Sequence, residues 1–170
     1  MRFTLQTCTV RPWSTQDEAA LVKHANNERI AMHLRDRFPH PYEADHARKF
    51  LDWVTQQPLE TVWALEVDGE AAGGLGIELH ADVERVSAEI GYWLGEAHWG
   101  KGIVAEALKA VVPDVMERFD LTRLYALPFA DNPGSVRVLE KAGFVLEGRL
   151  RRSAIKNGVI KDQLLYARYR

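Results

Sequence analysis

Cysteine occurs once in the 170 residues, at Cys8. A disulfide framework within the chain is therefore excluded, and a reducing compartment fits. In an apolar N-terminal stretch a lone Cys reads as a small core residue. No apolar run approaches the roughly 20 residues needed to span a bilayer. No secretory leader is read at the start. The expectation is a soluble, cytoplasmic protein with no membrane partner. Basic excess is also lacking: 22 Lys and Arg face 24 Asp and Glu, for a net charge of -2. A nucleic-acid binder would normally carry a basic face. The nearest approach, Arg149-Leu150-Arg151-Arg152, reads as a solvated strand face, so no nucleic-acid partner is expected. HExxH and CxxC are absent, so no metal is expected. No nucleophile elbow is present either, and Cys8 is remote, which argues against a covalent acyl-enzyme.

What is present is an apolar content of 46% without repeats or low-complexity stretches, enough for one domain over residues 1–170. Phe3 to Val10 alternates as a strand and Arg11-Pro12-Trp13 ends it. Ser14 or Thr15 caps a helix carrying Leu21, Val22 and Ala25. A second helix places Ala44, Ala47, Phe50, Leu51 and Val54 on one face, and Gln56-Gln57-Pro58 closes it. Strands over 61–67 and 71–79 flank Asp68-Gly69, a hairpin turn signal. A strand over 86–94, a glycine stretch, a helix to about Arg118 and a strand over 123–129 follow. Pro113 predicts a kink or an early break in that helix. A short helix from Pro133 to Ala142 ends at Gly143, and two long strands joined by Asn157-Gly158 finish the chain. The order βααβββαβαββ reads as α+β or mixed α/β.

The stretch HWGKGIVAEAL, residues 98–108, carries the chemistry. Glycines at the start of a helix let phosphate oxygens reach backbone N–H groups that have no partner inside the helix. Lys101 adds a mobile positive charge. Gly100 to Ala105 also fits the dinucleotide fingerprint G-x-G-x-x-G/A. The context opposes that reading: five residues, Gly95 to Trp99, separate the strand from the first glycine. Asp120 also precedes the next strand, where a ribose-binding acid should end it. The other glycine cluster, Gly73-Gly74-Gly76, lies inside a strand with no helix after it.

Several segments together resemble the GNAT N-acetyltransferases, in their RimJ/RimL-like branch. They are VRPWSTQDEAAL and FPHPYEADHARKFL, then AEIGYWLGEAHWGKGIVAEAL, ADNPGSVRVLEKAGF and EGRLRRSAIKNGVIKDQLLYA, in that order. The resemblance implies a mostly antiparallel seven-stranded sheet with two splayed parallel strands, 86–94 and 123–129, and helices on both faces. It implies acetyl-CoA as cofactor and direct acetyl transfer to a primary amine in a ternary complex. Cofactor contacts then fall to Tyr92, Trp93 and Leu94 at the strand end, to Trp99, Gly100, Lys101, Gly102, Ile103 and Val104 in the loop, and to Asn132 and Ser135. Gly91 is expected to mark a bulge or a close approach beside that strand end. Val104 stands where Gly or Ala is usual and brings β-branched bulk toward the pyrophosphate. Asn132 also reads as the cap of the short helix, with Pro133 in its first turn.

Ser135 is the candidate donor to the departing thiolate and Glu89 the candidate base. His24, His33, His40 and His80 are outside candidates, each expected at the surface or rim. The favoured acceptor is a protein or peptide α-amine. Polyamines, amino acids and amino-sugars remain open, as do a non-catalytic CoA sensor and a homodimer.

Overall fold

A computed structural model describes all residues, Met1–Arg170. The chain gathers into two compact units, Met1–Gly76 with Tyr92–Ile103, and Ile77–Gly91 with Val104–Arg170. Its strands form one eight-stranded sheet in the order β1-β2-β3-β4-β5-β6-β8-β7.

In the first unit, β1 (Phe3–Thr4) and β2 (Thr9–Pro12) replace the single strand expected over 3–10. The chain doubles back between them, Leu5 N donating to Cys8 O at 2.9 Å, and the two pair antiparallel. This turn raises the strand count from the expected seven to eight. Ser14 and Asp17 form a capping box ahead of α1 (Glu18–Ala25). Asp17 also holds Arg11 through two contacts of 2.8 Å. The irregular stretch that follows contains only α2 (Glu28–Ala31), before α3 (Ala44–Thr55). Leu21, Ala25, Ala47 and Leu51 pack with Trp13 and Tyr42 into one apolar cluster. Burial there pushes the Tyr42 hydroxyl up to about 12. β3 (Val62–Val67) and β4 (Glu70–Leu79) turn at Asp68 and Gly69, with φ of 53° and 83°. Positive φ at both central residues is the twist-compatible hairpin geometry that Asp-Gly favours.

The second unit holds β5 (Ser87–Leu94) as far as Gly91, and there β5 pairs parallel with β6 (Arg123–Ala126) from Ser87–Arg123 to Glu89–Tyr125. The ladder ends there: β6 runs only one residue further, to Ala126, while β5 extends to Leu94. β6 is shorter than expected: it ends at Ala126, and Phe129 keeps only an isolated bridge to Gln163. α4 (Ile103–Arg118) passes through Pro113 without breaking. A helix-interior proline costs about 3 kcal/mol. Val111, Val112, Val115 and Met116 are all buried around it. Each buried apolar side chain contributes roughly 1.5–3 kcal/mol, so packing wins. α5 (Pro133–Lys141) ends as expected at Gly143, φ 83°. Phe144 N donates to Leu139 O and Gly143 N to Glu140 O, each at 3.0 Å, the paired closure that αL glycine allows. β7 (Val145–Lys156) and β8 (Val159–Tyr169) turn at Asn157 and Gly158 with φ of 49° and 77°.

Candidate active site

The loop that leaves β5 is clamped before it reaches its glycines. Gly95 N donates to Ala72 O at 2.7 Å, and a Cβ on Gly95 would lie 2.8 Å from His24 Nδ1. Glu96–His98 make one 3-10 turn. Trp99 folds back so that its indole Nε1 donates to Leu94 O at 2.7 Å. Arg29 lies over the Trp99 ring, 5.3 Å from its centroid, and pairs with Glu96. Asn27 Nδ2 also donates to Glu96, at 2.7 Å. From this base Gly100 and Gly102 turn with φ of 77° and 78°. Side chains rarely adopt that conformation, which is why glycine stands at both. Nothing lies within 4 Å of a Cβ built on either.

Lys101 is exposed beside them. Ile103 and Val104 are buried, so α4 starts from anchored side chains. Its first N–H groups have no carbonyl to reach within the helix, and its N-terminus is electropositive. Open space, backbone donors and a mobile cation suit phosphate oxygens. The bulk of Val104 does not oppose this, because its side chain packs inward and is 6% exposed.

The strand end is built by different means. Trp93 packs edge-on against Phe38, with centroids 5.6 Å apart. A Cβ on Gly73 would meet Trp93 O at 2.6 Å, and one on Gly74 would meet Trp93 Nε1 at 2.8 Å. Gly73 and Gly74 thus make close contacts within the protein, while Gly91 has open space around it. Tyr92 is half-buried; Leu94 is buried, and its carbonyl already accepts from Trp99.

In the second unit Asn132 Oδ1 accepts from Ser135 N at 3.1 Å, capping α5 as its sequence indicates. Ser135 is half-buried in the first turn. Glu89 is half-buried on β5, opposite Tyr125 on the last rung of the parallel ladder.

The histidines depart from the expected rim positions in one case. His24 is buried, with Nε2 2.9 Å from Glu70 Oε2. Lys23, and then His24, hold the Glu70 carboxyl below its ordinary range. His33 is half-buried and His40 exposed. His80 is half-buried, and its Nε2 lies 2.9 Å from the Tyr125 hydroxyl. Sequence reasoning missed His98, which is buried with its ring 5.5 Å from His24 and its Nδ1 without a hydrogen-bond partner. Burial pushes its imidazole down, and Lys101 and His24 add to that. Arg29, Glu96 and Tyr125 were missed as well, and no local pattern marks them. His24 had a signal: it lies three residues after Leu21 on the apolar side of α1.

Residues 8–145 match the family model described as an acetyltransferase (GNAT) domain. The ribosomal-protein-serine acetyltransferase of Escherichia coli K12 is 42% identical over 82 residues, 48% of this chain and 46% of that protein. The aligned stretch thus spans about half the length of the first curated relatives it matches. The spermidine N(1)-acetyltransferase of the same organism is 26% identical over 91% of this chain and 82% of that protein. A solved structure of RimL, a ribosomal alpha-N-protein acetyltransferase in complex with coenzyme A, superposes with a TM-score of 0.86. It is 24% identical and covers 99% of this chain and 98% of that one, which shows a shared fold. No helix is long and apolar enough to cross a membrane. With the family model spanning β5, the glycine loop, β6 and α5, the chain belongs to the GNAT acetyltransferase family.

Proposed function

We propose that the protein transfers the acetyl group of acetyl-CoA to a primary amine, with a protein or peptide α-amine as the favoured acceptor. The observation that carries this reading is the clamped loop: two glycines at positive φ, with open space before them, lead into a helix whose first side chains are buried. The residues fit a pyrophosphate. The backbone of Trp99 to Val104 and the Lys101 side chain would hold it, Tyr92 to Leu94 would border the pantetheine arm, and Asn132 would contact the arm. Acetyl-CoA supplies a thioester carbonyl carbon open to attack by an amine.

The chain's own groups then manage protons. Glu89 receives one from the acceptor ammonium, and the Ser135 hydroxyl holds one for the leaving sulfur. The cost of deprotonation favours an α-amine: at pH 7 it is about 1 kcal/mol for an α-amine and roughly 4–5 for a lysine. A relative named for a ribosomal-protein serine supports a protein acceptor. One named for spermidine keeps a polyamine as the second reading.

Calorimetry with acetyl-CoA, followed by an amine and peptide panel read by CoA release, tests both levels. Micromolar binding and release with α-amine peptides are expected. No binding at millimolar cofactor overturns the family activity for this chain. Binding without transfer to any amine makes it a CoA sensor, and release with polyamines alone makes the second reading correct.

A further inference from the structure

His80 and Tyr125 lie far apart in sequence: His80 directly follows β4, Tyr125 is on β6, and β5 runs between those two strands. Two strand spacings amount to about 9–10 Å. Yet His80 Nε2 and the Tyr125 hydroxyl are 2.9 Å apart, and their rings are nearly parallel in a stack with centroids at 5.7 Å. The two side chains therefore lean toward each other across β5. Glu89 is on β5 directly opposite Tyr125, so it shares that sheet face and rises beside the bridge. The β4–β5 register leads to the same place. His80 N donates to Ser87 O, and Gly95 N to Ala72 O, which keeps one antiparallel register and sets Glu78 opposite Glu89. Arg123 lies over the Tyr125 ring at 4.7 Å and pairs with Glu147 of β7, to which Tyr169 of β8 also donates. The groups facing the bridge are thus Glu78, Glu89, Arg123, Glu147 and Tyr169.

Stoichiometry gives this bridge a task. Acetylating an ammonium removes two protons from nitrogen as the C–N bond forms and the C–S bond breaks. The sulfur keeps the C–S electron pair and takes one proton. The other must leave the site, or Glu89 stays protonated and cannot act again. We propose that Tyr125 and His80 form the exit for that proton, as relay residues that act through Glu89 and not on the substrate. This inference rests on the acetyltransferase reading above. The protonated Glu89 carboxyl donates to the Tyr125 oxygen while the Tyr125 O–H donates to His80 Nε2. His80 then holds two ring protons, releases the one on Nδ1 to water, which its half-buried position permits, and returns from the Nε2–H to the Nδ1–H tautomer by proton exchange with water before the next turnover. The relay requires the Nδ1–H tautomer of neutral His80 at rest.

The test uses Tyr125→Phe, His80→Gln and His80→Ala, with cofactor affinity measured by calorimetry and kcat on the best acceptor of the panel. Each variant should keep the cofactor Kd within about two-fold while kcat falls on the order of 10²-fold, the lower end of the usual acid–base contribution. Added imidazole should restore His80→Ala in proportion to its concentration and leave Tyr125→Phe unimproved. Unchanged kcat overturns the relay. So does a loss that imidazole does not restore, because a purely structural ring pair would behave that way. A wild-type protein that transfers to no amine overturns the acetyltransferase reading itself, and the relay with it.

Discussion

Two glycine groups in this chain exist for opposite reasons. Gly73 and Gly74 sit on β4 with ordinary strand backbone but no room, since a Cβ would strike Trp93. Gly100 and Gly102 have room but a backbone that side chains avoid. The first group is demanded by what is already packed there. The second leaves space that the protein does not fill, which is what a binding loop needs. Glycine content alone therefore says little about function, whereas the reason for each glycine says much.

The sharpest test of that difference is Gly102→Asp. Asp68, Asp82 and Asp120 already adopt φ of 49–56° elsewhere in the chain, so an aspartate at Gly102 should fold. Its carboxylate would stand where phosphate is proposed to bind. Cofactor affinity measured by calorimetry should fall more than about 100-fold with the fold retained by circular dichroism, a loss of about 2.7 kcal/mol or more. Undiminished affinity would move the phosphate site elsewhere.

Gly73→Ala should do the reverse. Overpacking against the Trp93 carbonyl should cost about 1–3 kcal/mol and lower Tm by several degrees. An unchanged Tm would mean that β4 and the end of β5 separate without cost. Gly100→Ala meets no neighbour and should cost only the left-handed strain, about 1 kcal/mol. If it destabilised more than Gly73→Ala, the open space in front of Gly100 would not be open in solution.

The smallest effect concerns His98, between the two groups. Its imidazole is pushed below its ordinary value, chiefly by burial. The folded chain thus favours the neutral ring, and the unfolded chain binds more protons below about pH 6.5. Stability should therefore fall as pH drops from about 6.5, and His98→Gln should flatten that slope in thermal melts. An equal slope in the variant would assign the acid sensitivity to other groups.

Local chemistry made much of the fold legible. Asp68-Gly69 and Asn157-Gly158 adopt the positive φ angles that hairpin turns require, and Pro133 with Gly143 brackets α5. Those signals act over two to four residues, so tertiary context does not override them. The misreadings are tertiary. Alternation from Phe3 to Val10 hides a turn at Leu5 to Cys8, because the side chains keep their period while the chain reverses. The early break that Pro113 allows does not occur, because the burial around it outweighs the cost. At the site, the loop glycines and the Asn132 cap were legible as helix-start chemistry. The His80–Tyr125 bridge spans 45 positions, and the burial of His98 depends on α1, so neither leaves a trace in its own neighbourhood.

β7 closes one side of the sheet and is twelve residues long, with Val145, Leu146, Leu150 and Ile155 exposed. Such an edge is a template for another chain unless something blunts it. Here register shifts at Leu146/Gly148 and Leu150/Ala154 interrupt the ladder, and Arg149, Arg151 and Arg152 line the strand. Arg149 is paired with Asp162, but a second copy laid antiparallel along β7 would still bring Arg151 and Arg152 near their counterparts, so like charge opposes that contact. Screening shortens from about 8 Å at 0.15 M salt to about 3 Å at 1 M. Light scattering should accordingly find the chain dispersed in dilute salt and increasingly self-associated as salt rises, and replacing Arg151 and Arg152 with Gln should remove much of that salt dependence.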